Sequence, residues 1–268
     1  MAIATPESYA DMLDRAKAGK YAIPAINVTS SQTLSAALKG FADAESDGIV
    51  QISNGGAAYW SGSSRLDRVK GSMAFAAYAR VVGDLYPGVV GLHTDHCPKK
   101  LLEGWIHPLL EIEAEQVKNG ELPMFQSHMW DGSAESLDDN IEIAVDMLKR
   151  SRAAHTVLEI EIGAVGGEED GIKGEENASL YTTADDAYRA IEALGLGENG
   201  RYITALTFGN VHGSYKPGHV KLRPEILGEI QVDVAKRLGD RLQTKVGVKD
   251  SPSVGRSEER RVGKECRS

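Results

Sequence analysis

Short runs rich in Val, Ile and Thr alternate along this chain with longer stretches whose apolar residues recur at helical spacing. The short runs predict strands over residues 21–28, 48–53, 89–95, 123–131, 156–163 and 203–209. The longer stretches predict helices over 31–45, 66–86, 101–118, 134–153 and 184–194, and a further helix over 223–238 follows the sixth strand. Regular strand–helix alternation builds right-handed βαβ units and a parallel sheet.

Six such units suit either an open doubly wound sheet or most of a closed barrel, and the polar residues choose between them. In TVLEIEIG, Glu159 and Glu161 share one strand face while Leu158, Ile160 and Ile162 share the other. His93 and Asp95 likewise share a face in GLHTDH. An open parallel sheet covered by helices on both sides wants apolar residues on both faces. Acids turned inward at the carboxyl ends of strands are what a TIM-barrel site needs. The expected fold is therefore α/β, a TIM (β/α)8 barrel, here lacking the last two βα units.

Composition narrows the setting. Hydrophobic residues make up 41% of the 268 and charged residues 26%, ordinary values for a globular protein. A net charge of −9 speaks against a general nucleic-acid binder, though a site rich in backbone N–H groups or holding a metal still takes anionic sugar phosphates. No apolar run approaches the roughly 20 residues that span a bilayer, and MAIATPESYADML lacks the basic and apolar regions of an export leader. Two cysteines, Cys97 and Cys266, are too few for a disulfide framework or a cysteine zinc cage. A cytoplasmic protein without nucleic-acid or membrane partners is expected.

The candidate chemistry gathers at strand ends. Asp95 and His96 close the third predicted strand; imidazole suits zinc, and a neighbouring carboxylate can move protons. His212 lies just after the sixth, in TFGNVHGSYKPG. The glycine-rich stretch LEIEIGAVGGEEDG carries Glu168, Glu169 and Asp170, either as a solvated acidic loop or as a lid that delivers a base onto substrate. Composition alone does not separate those two readings.

The ordered segments YAIPAIN, QISNGGA, HTDHCPK, FQSHMWDGS, LEIEIGAVGGEEDG, LYTT and TFGNVHGSYKPGHVKLRP resemble the class II, zinc-dependent fructose-bisphosphate aldolases of the longer bacterial type, across residues 1 to about 240. The resemblance implies reversible cleavage of fructose 1,6-bisphosphate to dihydroxyacetone phosphate and glyceraldehyde 3-phosphate, through a zinc-stabilised enediolate, in glycolysis and gluconeogenesis. It implies His96 and His212 as two of three histidine ligands of a catalytic Zn2+, and Asp131 and Glu161 as ligands of a second divalent position. By the same resemblance Asp95 acts on the hydroxyl at the bond being cleaved, and Glu169 exchanges the proton beside the dihydroxyacetone phosphate carbonyl. Val211 and Gly213 resemble part of a phosphate and monovalent-cation site, and Asn27 and Ser53 resemble substrate contacts. Small sugar phosphates are the implied partners, and a homo-oligomer the implied state of the complete protein.

Other residues read differently. His128 is expected to pack near Asp131, and His93 to hydrogen-bond structurally inside the barrel. Cys97 reads as a small packed residue. The nearest competing activity is tagatose-bisphosphate cleavage, and an inactive fragment is the non-enzyme alternative. The family's later HGGSG and NVDTD-like segments do not occur, and RSEERRVGKECRS resembles translated sequencing adapter. Residues 1–241 are accordingly expected to form an incomplete barrel and 242–268 an artefactual, disordered tail without a strand.

Overall fold

The computed structural model describes residues 3–163, 166–169, 172–174, 181–209, 211–212, 221–244 and 253–254; for 166–169, 172–174, 211–212, 240–244 and 253–254 it describes the backbone alone. The chain divides into two compact units, Met1–Met129 with Arg150–Leu158, and Trp130–Lys149 with Glu159–Ser268.

The first unit runs α1 (Pro6–Gly19), β1 (Ala25–Asn27), α2 (Ser31–Asp43), β2 (Gly48–Ser53), α3 (Asn54–Trp60), α4 (Arg68–Gly83), β3 (Val90–Pro98), α5 (Ile106–Lys118) and the start of β4 (Ser127–Asp131). Its strands are parallel in the order β1-β2-β3-β4. The register sets Asn27 beside Gln51 and Ser53 beside Asp95, so the last residues of β1 and β2 and the Asp95 end of β3 lie at one edge. Gln126 ties β3 to β4: its N–H donates to the Leu92 carbonyl (3.0 Å), and its Oε1 accepts from the Leu92 N–H (2.8 Å).

Two of this unit's helices escape the periodicity. α1 starts at a Thr5–Ser8 capping box with Pro6 in its first turn, a local signal that needs no long apolar stripe. α3 follows β2 without a loop because the Ser53 hydroxyl accepts the Gly56 N–H, so one residue both ends a strand and caps a helix. β1 is shorter than the expected 21–28, since Pro24 has no N–H to give a ladder. Trp105, Phe75, Phe125, Met12 and Leu34 fill the core, and the Trp105 Nε1–H is satisfied by the Ser72 hydroxyl at 2.9 Å.

The second unit holds the end of β4, most of α6 (Leu137–Ala153) and of β5 (Val157–Ile162), then β6 (Gly166–Glu169), β7 (Ile172–Gly174), α7 (Ala184–Leu194), β8 (Tyr202–Leu206), β9 (Val211–His212), α8 (Glu225–Thr244) and β10 (Ser253–Val254). Strand order here is β4-β5-β8-β10. Trp130, Met147, Ile160, Ile191, Tyr202 and Ile230 are buried. α7 begins where expected, at a Thr183–Asp186 capping box. α8 runs past the expected 238 through a kink at Gly239, whose φ of 36° lies in the left-handed region.

β10 corrects one expectation. Ser253 and Val254 pair in parallel with Ile203 and Thr204, although no strand was expected beyond residue 242. A strand edge is a row of unpaired backbone groups, and an extended segment satisfies them whatever its origin. The rest of the expected tail lies outside the described residues.

Candidate active site

The first unit builds a carboxylate–imidazole pair at the end of β3. Asp95 and His96 are both buried, and the Asn27 amide donates a 2.7 Å hydrogen bond to Asp95 Oδ2. His96 Nε2 lies 3.9 Å from the other carboxylate oxygen, Oδ1. His96 itself has φ 47°, a left-handed conformation that few non-glycine residues adopt. It lies in the last part of β3, two residues before Pro98, and the His96 N–H points to Met129 Sδ at 3.4 Å. Asn27 thus aims a buried acid that stands beside a neutral-capable imidazole. Ser53, also expected at the site, lies in register with Asp95, with its hydroxyl engaged in capping α3.

His93 is structural, as expected. Its Nδ1 meets the Ser127 hydroxyl at 2.8 Å, and Ser127 meets the Tyr9 hydroxyl at 2.9 Å. Burial pushes the His93 imidazole down to about 4, against the opposing pull of the Asp95 charge. His128 is held within the first unit: its Nδ1 meets Thr94 Oγ1 and its Nε2 meets Glu113 Oε2, both at 2.8 Å.

The second unit brings two acids together. Asp131 ends β4 and accepts from the Ser133 N–H (3.0 Å) and hydroxyl (2.6 Å). Glu161, on β5, is 1% exposed, and the two carboxylates have oxygens within 4.8 Å of each other. Asn140 of α6, a residue the sequence reading missed, links the two strands that carry them. Asn140 Oδ1 accepts from Trp130 Nε1 (2.8 Å) and its Nδ2 donates to the Glu161 backbone carbonyl (2.8 Å). Gly132 lets the helix come this close, because a Cβ there would sit 2.1 Å from the Asn140 amide.

The glycine-rich stretch after β5 forms a hairpin. β6 pairs antiparallel with β7 and parallel with β9, with Gly166 beside Val211 and Gly167 beside His212. Glu169, His212 and Val211 therefore belong to one small three-stranded sheet. Their side chains, and Gly213 and Asp170 altogether, lie outside the described residues. Gly163 turns at φ 102°, the Thr207 N–H donates to Thr182 Oγ1 at 2.8 Å, and the Thr182 hydroxyl donates to the Ile162 carbonyl.

The model of the family described as fructose-bisphosphate aldolase class-II matches residues 7–244. The chain belongs to that family. Streptomyces coelicolor fructose-bisphosphate aldolase is 61% identical over 239 residues, 89% of this chain and 70% of that protein. The Corynebacterium glutamicum fructose-bisphosphate aldolase is 57% identical over the same shares. The crystal structure of Campylobacter jejuni fructose-bisphosphate aldolase is similar with a TM-score of 0.75 at 37% identity, over 88% of this chain and 67% of that one. The fold of this class II aldolase chain is the parallel α/β, TIM-barrel-like fold of its relatives.

Class II aldolases use a divalent metal, and the donors here suit one. The Asp131–Glu161 pair of the second unit supplies two carboxylates, hard oxygen donors of the kind divalent ions take. Two ionised carboxylates within 4.8 Å of each other repel by at least roughly 3 kcal/mol at an effective dielectric near 20. A cation removes that penalty. Among the described residues no helix is long and apolar enough to cross a membrane.

Proposed function

We propose that this chain cleaves fructose 1,6-bisphosphate reversibly to dihydroxyacetone phosphate and glyceraldehyde 3-phosphate. The observation that carries the reading is the buried Asp95 carboxylate, aimed by Asn27 and standing beside His96 at the strand ends. A zinc ion, when bound, supplies Lewis acidity to the ketone oxygen and stabilises the charge that develops there. His96 and His212 would be two of its histidine ligands, and Asp131 and Glu161 would hold a second divalent position, as the family resemblance implies. Asp95 exchanges the proton of the hydroxyl at the breaking bond. Glu169 takes and returns the proton on the carbon beside the carbonyl of the three-carbon ketone. Asn27 and Ser53 contact substrate, while Val211 and Gly213 belong to a phosphate and monovalent-cation site, as the family resemblance implies. A homo-oligomer in the cytoplasm is the setting that accompanies this chemistry.

The test uses the 268-residue chain with added zinc. Fructose 1,6-bisphosphate cleavage and solvent exchange of the dihydroxyacetone phosphate proton are measured in parallel. Glu169→Ala is expected to lose the exchange, whereas Asp95→Ala is expected to lose cleavage while keeping more of the exchange. Equal loss of both reactions in both variants would remove the division of labour, and no zinc-dependent cleavage by the parent chain would remove the activity.

A further inference from the structure

Helix α5 buries an acid. Glu113 shares the inward face with Leu109 and Leu110, and its side chain has no exposure to solvent. A carboxylate withdrawn from water needs donors and a compensating charge. The Phe125 N–H donates to Oε1 at 2.8 Å, and His128 Nε2 meets Oε2 at 2.8 Å. The charge comes from Arg80 on α4, whose guanidinium donates to the Pro123 and Met124 carbonyls. Burial lowers the Arg80 pKa, and the Glu113 charge opposes that fall.

A carboxylate oxygen only accepts, so the His128 nitrogen that faces it, Nε2, carries the ring proton. With Nε2–H given to Glu113, Nδ1 is an acceptor, and the group facing it at 2.8 Å is the Thr94 hydroxyl. Thr94 is fully buried and immediately precedes Asp95 and His96. The left-handed turn at His96 is a conformation that persists only where its surroundings over-determine it.

We propose that Glu113 and His128 are positioning residues: a buried chain from Glu113 through the Nε2–H tautomer of His128 to the Thr94 hydroxyl clamps the end of β3 and holds Asp95 and His96 in their turn. Treating Asp95 and His96 as reacting groups rests on the function proposed above; the clamp does not.

The experiment is nuclear magnetic resonance on the full 15N-labelled chain. The His128 ring is expected to give a protonated-type Nε2 and an unprotonated-type Nδ1 throughout neutral pH. Thr94→Val removes the hydroxyl and keeps the branched shape, and amide exchange at Asp95, His96 and Cys97 is expected to rise about tenfold, the effect of losing one hydrogen bond. Exchange in α1 and α2 stays unchanged, and Thr94→Ser restores the parent rates. Glu113→Gln accepts from only one of its two N–H donors, so it is expected to raise the same three rates and mix the His128 tautomers. Should that variant not fold, the threonine pair and the parent ring spectrum decide alone. An imidazolium or Nδ1–H ring, a rise spread evenly over the unit, or no rise would overturn the clamp. Absent aldolase activity alongside the expected exchange pattern removes only the catalytic reading of the two residues it holds.

Discussion

Taking the pH from 7 to 5 is expected to cost the folded protein about 2 kcal/mol through His93 alone. Its imidazole falls from an ordinary value near 6.5 to about 4 because burial between β3 and β4 disfavours the charged ring. Below pH 6.5 the unfolded chain takes up a proton that the folded chain refuses. Stability from this group is therefore fully present above that pH and is lost as pH falls toward 4. The shift of 2.5 pH units corresponds to about 3 kcal/mol at its limit, with roughly 2 kcal/mol of it gone by pH 5. Carboxylates also protonate in this range, so the comparison needs a variant. His93→Asn keeps a polar atom toward Ser127 and does not titrate. Urea denaturation at pH 7 and pH 5 should show the parent losing about 2 kcal/mol more than His93→Asn. Equal losses, or a His93 ring that titrates between pH 6 and 7 in the folded protein, would refute the reasoning.

Asn27→Ala removes a charge-assisted hydrogen bond whose donor is solvent-exposed, so kcat for cleavage should fall about tenfold with little change in KM; a change under twofold in steady-state kinetics would count against the aiming role. Asn140→Ala removes two hydrogen bonds, one from the Trp130 N–H, which keeps the Asn140 backbone carbonyl at 3.3 Å, and one to the Glu161 carbonyl, and urea unfolding should register a loss of about 1–2 kcal/mol. Gly163→Ala forces a side chain onto φ 102° with the Thr207 hydroxyl 2.3 Å away, and the thermal midpoint should drop measurably at every pH. Zinc at a hundred times its dissociation constant should stabilise the parent by about 2.7 kcal/mol in the same urea assay, with chelator reversing the effect and Glu161→Gln diminishing it.

Much of this was legible because strands and helices announce themselves by period. The alternation of Glu159 and Glu161 with Leu158, Ile160 and Ile162 marked β5 and its inward acids, and Asp95-His96 marked the end of β3. What escaped were contacts between residues far apart in sequence. Glu113 sits at a core position of an amphipathic helix, and that misfit was the available sign of a buried partner; nothing local named His128. Asn140 reads as an ordinary polar residue of α6, and only the approach of the helix to Gly132 reveals its two partners. α1 and α3 depend on caps rather than stripes, and β9 is two residues long, too short for any period to register.

The Asn140 contacts carry a consequence for engineering. Asn140 grips the indole beside Asp131 and the backbone of Glu161, so it bears on the spacing of the two carboxylates without contacting either carboxylate group. It works as a gauge block between two jaws. Divalent ions differ in radius and in the spread of oxygens they demand. A one-methylene change at that gauge, Asn140→Gln, would reset the jaw width while leaving every donor atom in place, so preference among metal sizes can be tuned from a helix that coordinates nothing.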